Sequence, residues 1–309
     1  MVHQLRGTMV ALPTPFHDDA VDLTAFRRFA EHLVAGGVDG LVVCGTTGET
    51  PTLDADERAA LIRTAVDVAA GRIPVVAGAG TNATHTTLRE MARAEDLGAD
   101  GLLVVTPYYN RPCQDGLRRH FAAVAEAARA PVVLYNVPKR TGVDLLPATA
   151  ARIAREHERV VAIKEAHAAE GRWREHAELG ALDVLCGEDS ELIASRRAGA
   201  VGWVGVLPNL APAECVELFR TAAPEPEGSP AALAAAEARL APLFRALATA
   251  GNPAAVKAGL AEQGWMRGEL RSPLVEPSEE LRRAIATELQ DFTPAPFGLT
   301  PRQSLKPTC

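Results

Sequence analysis

The segment Val160-Val161-Ala162-Ile163-Lys164-Glu165 is a short apolar run, rich in valine and isoleucine, that stops at two charged residues. Runs of this kind are typical of strands that are buried on both faces of a parallel sheet. It is the sixth of eight such runs. The eight are Met9–Leu12, Gly40–Cys44, Pro74–Ala77, Gly101–Val105, Pro131–Leu134, Val160–Ile163, Asp183–Cys186 and Val201–Val206.

Amphipathic segments separate these runs and predict helices. Apolar residues recur at helical spacing across 23–34, directly after Asp22, whose side chain suits the start of a helix. Asp54 and Glu57 have the spacing of a capping box at the start of the next helix. Eight alternating strand–helix units favour a closed (β/α)8 barrel over an open, doubly wound sheet. The sequence therefore predicts an α/β fold of the TIM-barrel type.

The alternation of strands and helices ends near residue 223. A loop rich in proline and glutamate follows at 224–230, and then an Ala/Leu-rich helical pattern begins. The last residues, 292–309, include four prolines, which is typical of an extended or disordered tail. We therefore expect a barrel over 1–223, a C-terminal helical region over 224–291, and such a tail over 292–309.

The composition excludes several classes of protein. The net charge of −7 argues against a nucleic-acid partner. The apolar runs are shorter than the roughly 18–20 residues of a membrane span, and the first residues lack the apolar core of a signal peptide. The five cysteines form no CxxC pair and the eight histidines no HxH or HExxH pair. We expect a cytoplasmic protein with no metal, nucleic-acid or membrane partner.

Lys164 is one of only four lysines, and it lies at the end of the sixth run. Strand alternation places it on one face with Val160 and Ala162. If that face lines the barrel, the apolar surroundings favour a neutral amine, which can form a Schiff base with a carbonyl substrate. The alternative is a lysine that pairs with a carboxylate at the barrel mouth, such as Glu165 or Glu188. Position alone leaves both open.

The fifth run carries Tyr135 near its end, and Arg140 follows on the next loop. A phenol that points at the barrel axis can transfer protons, whereas an ordinary core tyrosine bonds its hydroxyl to the backbone. Arg140 can bind a carboxylate through two hydrogen bonds, or it can lie solvated on the surface. The two residues are candidates for catalysis and for substrate binding, respectively.

Two further segments lie where strands are expected to end. The turn Gly45-Thr46-Thr47-Gly48-Glu49 offers backbone N–H groups and hydroxyls that suit a small carboxylate. The fourth run leads into Tyr108 and Tyr109. All three tyrosines of the chain thus fall on the C-terminal face of the predicted barrel, which is where such barrels carry their active sites.

Four segments together resemble the dihydrodipicolinate synthase/N-acetylneuraminate lyase family of class I aldolases. These are 45–49 (GTTGE), 105–112 (VTPYYNRP), 134–142 (LYNVPKRTG) and 163–166 (IKEA). The resemblance implies a (β/α)8 barrel with a C-terminal helical part, assembled as a homotetramer. It also implies that no cofactor is needed beyond a covalent Schiff base.

The resemblance implies roles for individual residues. Lys164 would form a Schiff base with pyruvate, and Tyr135 would transfer protons. Thr46 and Thr47 would hold the pyruvate carboxylate. The hydroxyl of Thr47 would also relay protons between Tyr135 and Tyr109, which would reach in from a neighbouring subunit.

The remaining implied residues concern the substrates. Gly187 and Val204 would line the pyruvate pocket, and Arg140 would bind the carboxylate of the second substrate. Family members with arginine at this point of the motif condense pyruvate with L-aspartate 4-semialdehyde in lysine biosynthesis, so this reaction is the one implied. The alternative is a related pyruvate-dependent lyase or aldolase that acts on a sugar acid or another aldehyde. A barrel that only binds a keto acid is disfavoured, because it needs neither a nucleophile nor a proton relay.

Overall fold

The computed structural model describes residues 5–169, 171–224 and 229–292. Within these residues, eight parallel strands form a closed barrel in which each strand pairs with the next and the last pairs with the first. The strands are β1 (Gly7–Ala11), β2 (Gly40–Val43), β3 (Val75–Gly78), β4 (Gly101–Val105), β5 (Val132–Asn136), β6 (Val160–Glu165), β7 (Asp183–Cys186) and β8 (Gly202–Gly205). The predicted (β/α)8 barrel is confirmed.

Helices lie between the strands, and three more follow the barrel. They are α1 (Leu23–Ala35), α2 (Ala55–Ala69), α3 (Thr84–Asp96), α4 (Gln114–Ala127), α5 (Pro138–Thr141), α6 (Pro147–Glu156), α7 (Arg172–Leu179), α8 (Leu192–Arg197), α9 (Pro212–Thr221), α10 (Pro230–Ala248), α11 (Ala254–Glu262) and α12 (Glu279–Glu288). Both predicted helix starts are confirmed. The carboxylate of Asp22 accepts a hydrogen bond from the N–H of Ala25, and Asp54 and Glu57 form a capping box. A hairpin of Phe16–His17 with Ala20–Val21 lies between β1 and α1.

The hydrophobic core has two layers. The outer layer lies between the strands and the surrounding helices and includes the large side chains of Phe26, Phe29 and Phe121. The inner layer fills the barrel with side chains from every strand. It consists of Leu5, Met9, Ala11, Val42, Val76, Leu103, Val133, Tyr135, Val137, Ala162, Ala166, Leu185 and Val204. The barrel is therefore a packed core whose chemistry is confined to its rim.

The alternation predicted for β6 is correct at one end of the strand and wrong at the other. Ala162 belongs to the inner layer, but Val160 packs in the outer one. The cause is a shift of register between β5 and β6, in which Val132 pairs with Val160 whereas the next residue, Val133, pairs with Ala162. One extra residue in β6, Val161, thus reverses the facing of the side chains.

The helices that follow the barrel pack against one another, and the first of them packs against the last helix of the barrel. Helix α10 lies on α9, and α11 is tied to the loop after β8 by Gln263, whose Nε2 donates to the carbonyl oxygen of Leu210 at 3.0 Å. Residues 225–228 of the predicted loop, and all but the first residue of the tail predicted over 292–309, lie outside the described residues. The division of the chain at 223 and 291 stays a prediction. Among the described helices, none is long and apolar enough to cross a membrane.

Candidate active site

Lys164 and Tyr135 meet at the C-terminal rim of the barrel. They are register partners on the neighbouring strands β5 and β6, and Nζ of Lys164 lies 4.4 Å from the centroid of the Tyr135 ring. Each residue is only 6% exposed. An amine is therefore held against the face of a phenol, in a place that bulk water barely reaches.

Gly187, directly after β7, makes room for the lysine side chain. A Cβ atom at this position would lie 2.9 Å from Cε and from Cγ of Lys164, a distance that such contacts do not tolerate. The N–H of Gly187 donates to the carbonyl oxygen of Glu165 at 2.7 Å, which holds the backbone at this close approach. Gly187 therefore sets the path of the Lys164 side chain.

The two threonines of the turn after β2 have different partners. Oγ1 of Thr46 lies 3.5 Å from Oη of Tyr135, whereas Oγ1 of Thr47 accepts a hydrogen bond from Nδ2 of Asn252 at 2.9 Å. The assignment from the sequence joined Thr47 to Tyr135, and the structure instead places Thr46 beside the phenol. Asn252, just before α11, was not among the predicted site residues.

The same turn is anchored from behind by a buried ion pair. Glu49 lies in the left-handed region with φ of 55°, and its carboxylate is 2.6 Å from Nζ of Lys257 on α11. Nζ of Lys257 also donates to the carbonyl oxygen of Thr14 at 2.8 Å. Burial lowers the pKa of Lys257, and the neighbouring Glu49 carboxylate opposes that shift. The turn is thus fixed by a residue more than two hundred positions away.

The other predicted residues lie around this centre. Arg140, on the short helix α5, is exposed, and its Nη2 donates to the carbonyl oxygen of Asn252 at 3.0 Å. Val204 is 2% exposed within the inner layer. Tyr109 is 88% exposed with φ of 68°, so its side chain projects into solvent from this single chain. The structure brings the predicted residues together except for Tyr109.

Comparison with known proteins identifies the family of the chain. A sequence model of the dihydrodipicolinate synthetase family matches residues 4–292. The chain belongs to this family.

Individual relatives of this family member cover nearly the whole chain. The 4-hydroxy-tetrahydrodipicolinate synthase of Anaeromyxobacter sp. (strain K) is 46% identical over 281 residues, which cover 90% of this chain and 94% of the relative. The dihydrodipicolinate synthase structure from Aquifex aeolicus has a TM-score of 0.89 at 39% identity and covers 93% of this chain and 98% of its own. The enzyme from Acinetobacter baumannii, solved with pyruvate, has a TM-score of 0.89 at 36% identity and covers 93% and 99%.

Glu165 does not pair with Lys164, although the sequence allowed it. Its carboxylate points to the opposite face of β6, where Nδ2 of Asn136 and Nε2 of His176 lie 3.0 Å and 3.1 Å from it. No local signal in the sequence links these residues, because the bonds join β5, β6 and α7. In the described part of this dihydrodipicolinate synthetase family member, no group of three or more His, Cys, Asp or Glu residues is arranged to hold a metal ion.

Proposed function

We propose that this protein condenses pyruvate with L-aspartate 4-semialdehyde, which is the entry reaction of lysine biosynthesis, through a Schiff base at Lys164. The observation that carries the proposal is the buried Lys164 amine, 4.4 Å from the ring centroid of Tyr135 at the barrel rim. The curated relatives named 4-hydroxy-tetrahydrodipicolinate synthase, at 46% and 40% identity, support the same reaction. Pyruvate and the aldehyde are the small-molecule partners in this proposal.

The proposed reaction at the Lys164 amine proceeds through an imine and an enamine. The neutral Nζ of Lys164 attacks the carbonyl carbon of pyruvate, and loss of water leaves an imine. Removal of a methyl proton converts the imine to an enamine, whose carbon attacks the aldehyde carbon of the semialdehyde. The amino group of that substrate then adds to the imine carbon, closes the ring and releases Lys164. Tyr135 supplies and takes up protons in these steps.

The two threonines of the turn after β2 have separate roles in this reaction. Thr46 relays protons to and from Tyr135, because its Oγ1 lies 3.5 Å from the phenol oxygen. Thr47 binds the pyruvate carboxylate. Its oxygen accepts a hydrogen bond from Asn252, so its own hydrogen remains available to donate to that carboxylate. Gly187 and Val204 line the pyruvate pocket.

Arg140 binds the carboxylate of the semialdehyde. Its exposed guanidinium presents several donors at the rim. Within the described residues, it uses a single N–H in its hydrogen bond to the carbonyl oxygen of Asn252. Arg140→Ala tests this role, and Lys139→Ala is the control at a neighbouring residue. If Arg140→Ala keeps full activity with aspartate semialdehyde, the synthase assignment fails. Activity with sugar acids would then favour a related pyruvate lyase.

We also infer a cytoplasmic homotetramer in which Tyr109 completes the proton relay of a neighbouring subunit. The support is the 88% exposure of an aromatic side chain on a backbone with φ of 68°. Sedimentation velocity measures the assembly directly. A parent protein that sediments as a monomer while fully active would contradict this inference.

Trapping the Schiff base tests the central proposal. The protein is incubated with pyruvate and borohydride, which reduces an imine to a stable amine, and its intact mass is measured. We expect an adduct in the parent protein and none in Lys164→Ala, with Lys257→Arg as the control for loss of another buried lysine. A folded parent protein that forms no adduct would contradict the Schiff-base mechanism.

A further inference from the structure

Asn136 and Glu165 form a second pair directly behind the reactive one. Each follows Tyr135 or Lys164 in its strand, so alternation turns it to the outer face of the barrel wall. Both are fully buried, and Nδ2 of Asn136 lies 3.0 Å and 3.2 Å from the two carboxylate oxygens of Glu165. The inner pair and the outer pair are thus locked in the same register.

The outer pair continues into a wider polar network. Nδ2 of Asn136 also donates to Oδ1 of Asp144 at 2.8 Å, and Oδ2 of Asp144 accepts from Nη2 of Arg172 at 2.6 Å. Nε2 of His176 lies 3.1 Å from Oε2 of Glu165. Because a carboxylate only accepts, Nε2 of His176 carries the hydrogen in this bond. Helix α7 therefore supplies two donors, one for the carboxylate of Asp144 and one for that of Glu165.

The charges explain why both donors are present. Glu165 is fully buried and the nearby Asp144 is partly buried, and a buried carboxylate is tolerated only when it is paired and hydrogen-bonded. The guanidinium of Arg172 compensates the charge of Asp144. The Arg172 side chain is 7% exposed and that of Asp144 is 29% exposed. His176 is the basic side chain that faces the other carboxylate, at 3% exposure against 0% for Glu165. Loss of His176 would leave Glu165 with amide donors alone.

If the donor of His176 is lost, the backbone at the end of β6 cannot shift without moving its neighbours. The side-chain carboxylate of Glu165 accepts a hydrogen bond from the N–H of His167 at 2.9 Å. The backbone carbonyl oxygen of Glu165 accepts one from the N–H of Gly187 at 2.7 Å. A rotation of the Glu165 peptide would therefore move both Lys164 and the residue that leaves room for it. Reacting groups that shift by about 1 Å can lose about a hundredfold in rate.

We propose that His176 is a positioning residue, which orients Lys164 for attack on the keto acid by holding Glu165 on the outer face of β6. The proposal rests on the Schiff-base function inferred above. His176 touches no substrate and acts through Glu165 alone. A purely structural histidine would change the stability of the fold and leave the rate of imine formation per folded molecule unchanged.

The test compares two substitutions of His176 with a matched one elsewhere. His176→Leu removes the donor, whereas the Nε2 of His176→Gln can take the place of the ring nitrogen. His120→Leu is the control, because His120 is also a buried histidine but lies on α4 and bonds to Thr84. The rate of adduct formation with pyruvate and borohydride, and the KM and kcat with both substrates, are measured on protein shown to be folded.

We expect His176→Leu to form the adduct roughly tenfold more slowly, with the KM for the semialdehyde unchanged, because Lys164 is displaced and Arg140 is not. His176→Gln and His120→Leu should stay close to the parent rate. A His176→Leu variant that forms the adduct at the parent rate would overturn the proposal. So would an equal slowing in His120→Leu, or a His176→Gln variant as slow as His176→Leu.

A further variant decides the matter if His176→Leu does not fold. Glu165→Gln keeps the side-chain length and replaces one acceptor oxygen by a donor. Because Nδ2 of Asn136 donates to both oxygens of Glu165, the new amide nitrogen faces this donor in either orientation. The variant should slow adduct formation, and a parent-like rate would overturn the proposal. A parent protein that forms no adduct would remove the Schiff-base function itself, which separates that failure from failure of the role of His176.

Discussion

Nζ of Lys257 lies 2.6 Å from Oε1 of Glu49, and both side chains are fully buried. The pair joins α11, which follows the barrel, to the turn that carries Thr46 and Thr47. The N–H of Arg271 donates to the second oxygen of the same carboxylate at 3.0 Å. The helical region after the barrel therefore supports the turn that carries the candidate substrate-binding residues.

Substitution of Lys257 by Met should destabilise the protein by about 3–5 kcal/mol, because the Glu49 carboxylate is left buried without its cation. Urea unfolding measures this loss. The double variant Lys257→Met with Glu49→Gln should recover part of it, since the uncompensated charge is removed. Arg220→Met, which breaks an exposed pair with Glu217, is the control and should change little. Equal losses in the single and double variants would contradict the explanation.

A methyl group at Gly187 should impair catalysis more than folding. The added Cβ would meet Cε and Cγ of Lys164 at 2.9 Å, and the lysine side chain can yield only by leaving its place against Tyr135. We expect Gly187→Ala to lose about a hundredfold in kcat, by misplacement of the nucleophile. Gly268→Ala is the control, because its Cβ would meet nothing closer than 3.7 Å. Steady-state kinetics measure kcat for both variants. An unaffected kcat in Gly187→Ala would exclude this steric role.

The eight strands were predictable because their signal is local: a few apolar residues between turn residues repeat at regular intervals. The places of Lys164 and Tyr135 near the ends of their strands were predictable for the same reason, since each lies at the end of such a run. Asn252 and Lys257 were not, because their bonds to Thr47 and Glu49 span 205 and 208 residues. Nothing near either residue in the sequence marks its partner.

The unexpected partners of Thr46 and Thr47 have a different cause. Both follow a strand that ends at Val43, so period-two alternation no longer determines which way they face. Cys44 has φ of 53°, a left-handed conformation that turns the chain at the barrel rim. The direction of each hydroxyl is thus set by backbone angles that the residue types of the turn do not reveal.

Substitution of the two threonines should separate proton relay from carboxylate binding. Thr46→Val removes the hydroxyl 3.5 Å from Tyr135 and should lower kcat by about a hundredfold, within the range for loss of a proton-transfer partner. Thr47→Val leaves the pyruvate carboxylate short of one donor and should mainly raise the KM for pyruvate, by about tenfold or more. Valine keeps the shape of each side chain. A raised KM in Thr46→Val with kcat intact would reverse the assignment.

His120 should make the protein less stable in mild acid. It is 5% exposed on α4, with Nδ1 2.9 Å from Oγ1 of Thr84, and burial lowers its pKa from 6.5 to about 4. Because the unfolded chain takes up a proton below the ordinary pKa and the folded protein does not, stability is full above about pH 6.5 and falls down to about pH 4. The loss attributable to His120 at about pH 5 should be roughly 2 kcal/mol.

Urea unfolding of the parent and of His120→Gln at about pH 7.5 and about pH 5 measures this contribution by difference. The variant cannot titrate at this position, so it should lose less stability on acidification than the parent. Some loss should remain, because burial also lowers the pKa of His32. His85→Gln is the control, since that ring is exposed and should leave the acid-induced loss unchanged. If His120→Gln and the parent lose the same stability, the buried imidazole does not resist protonation, and the acid sensitivity arises elsewhere.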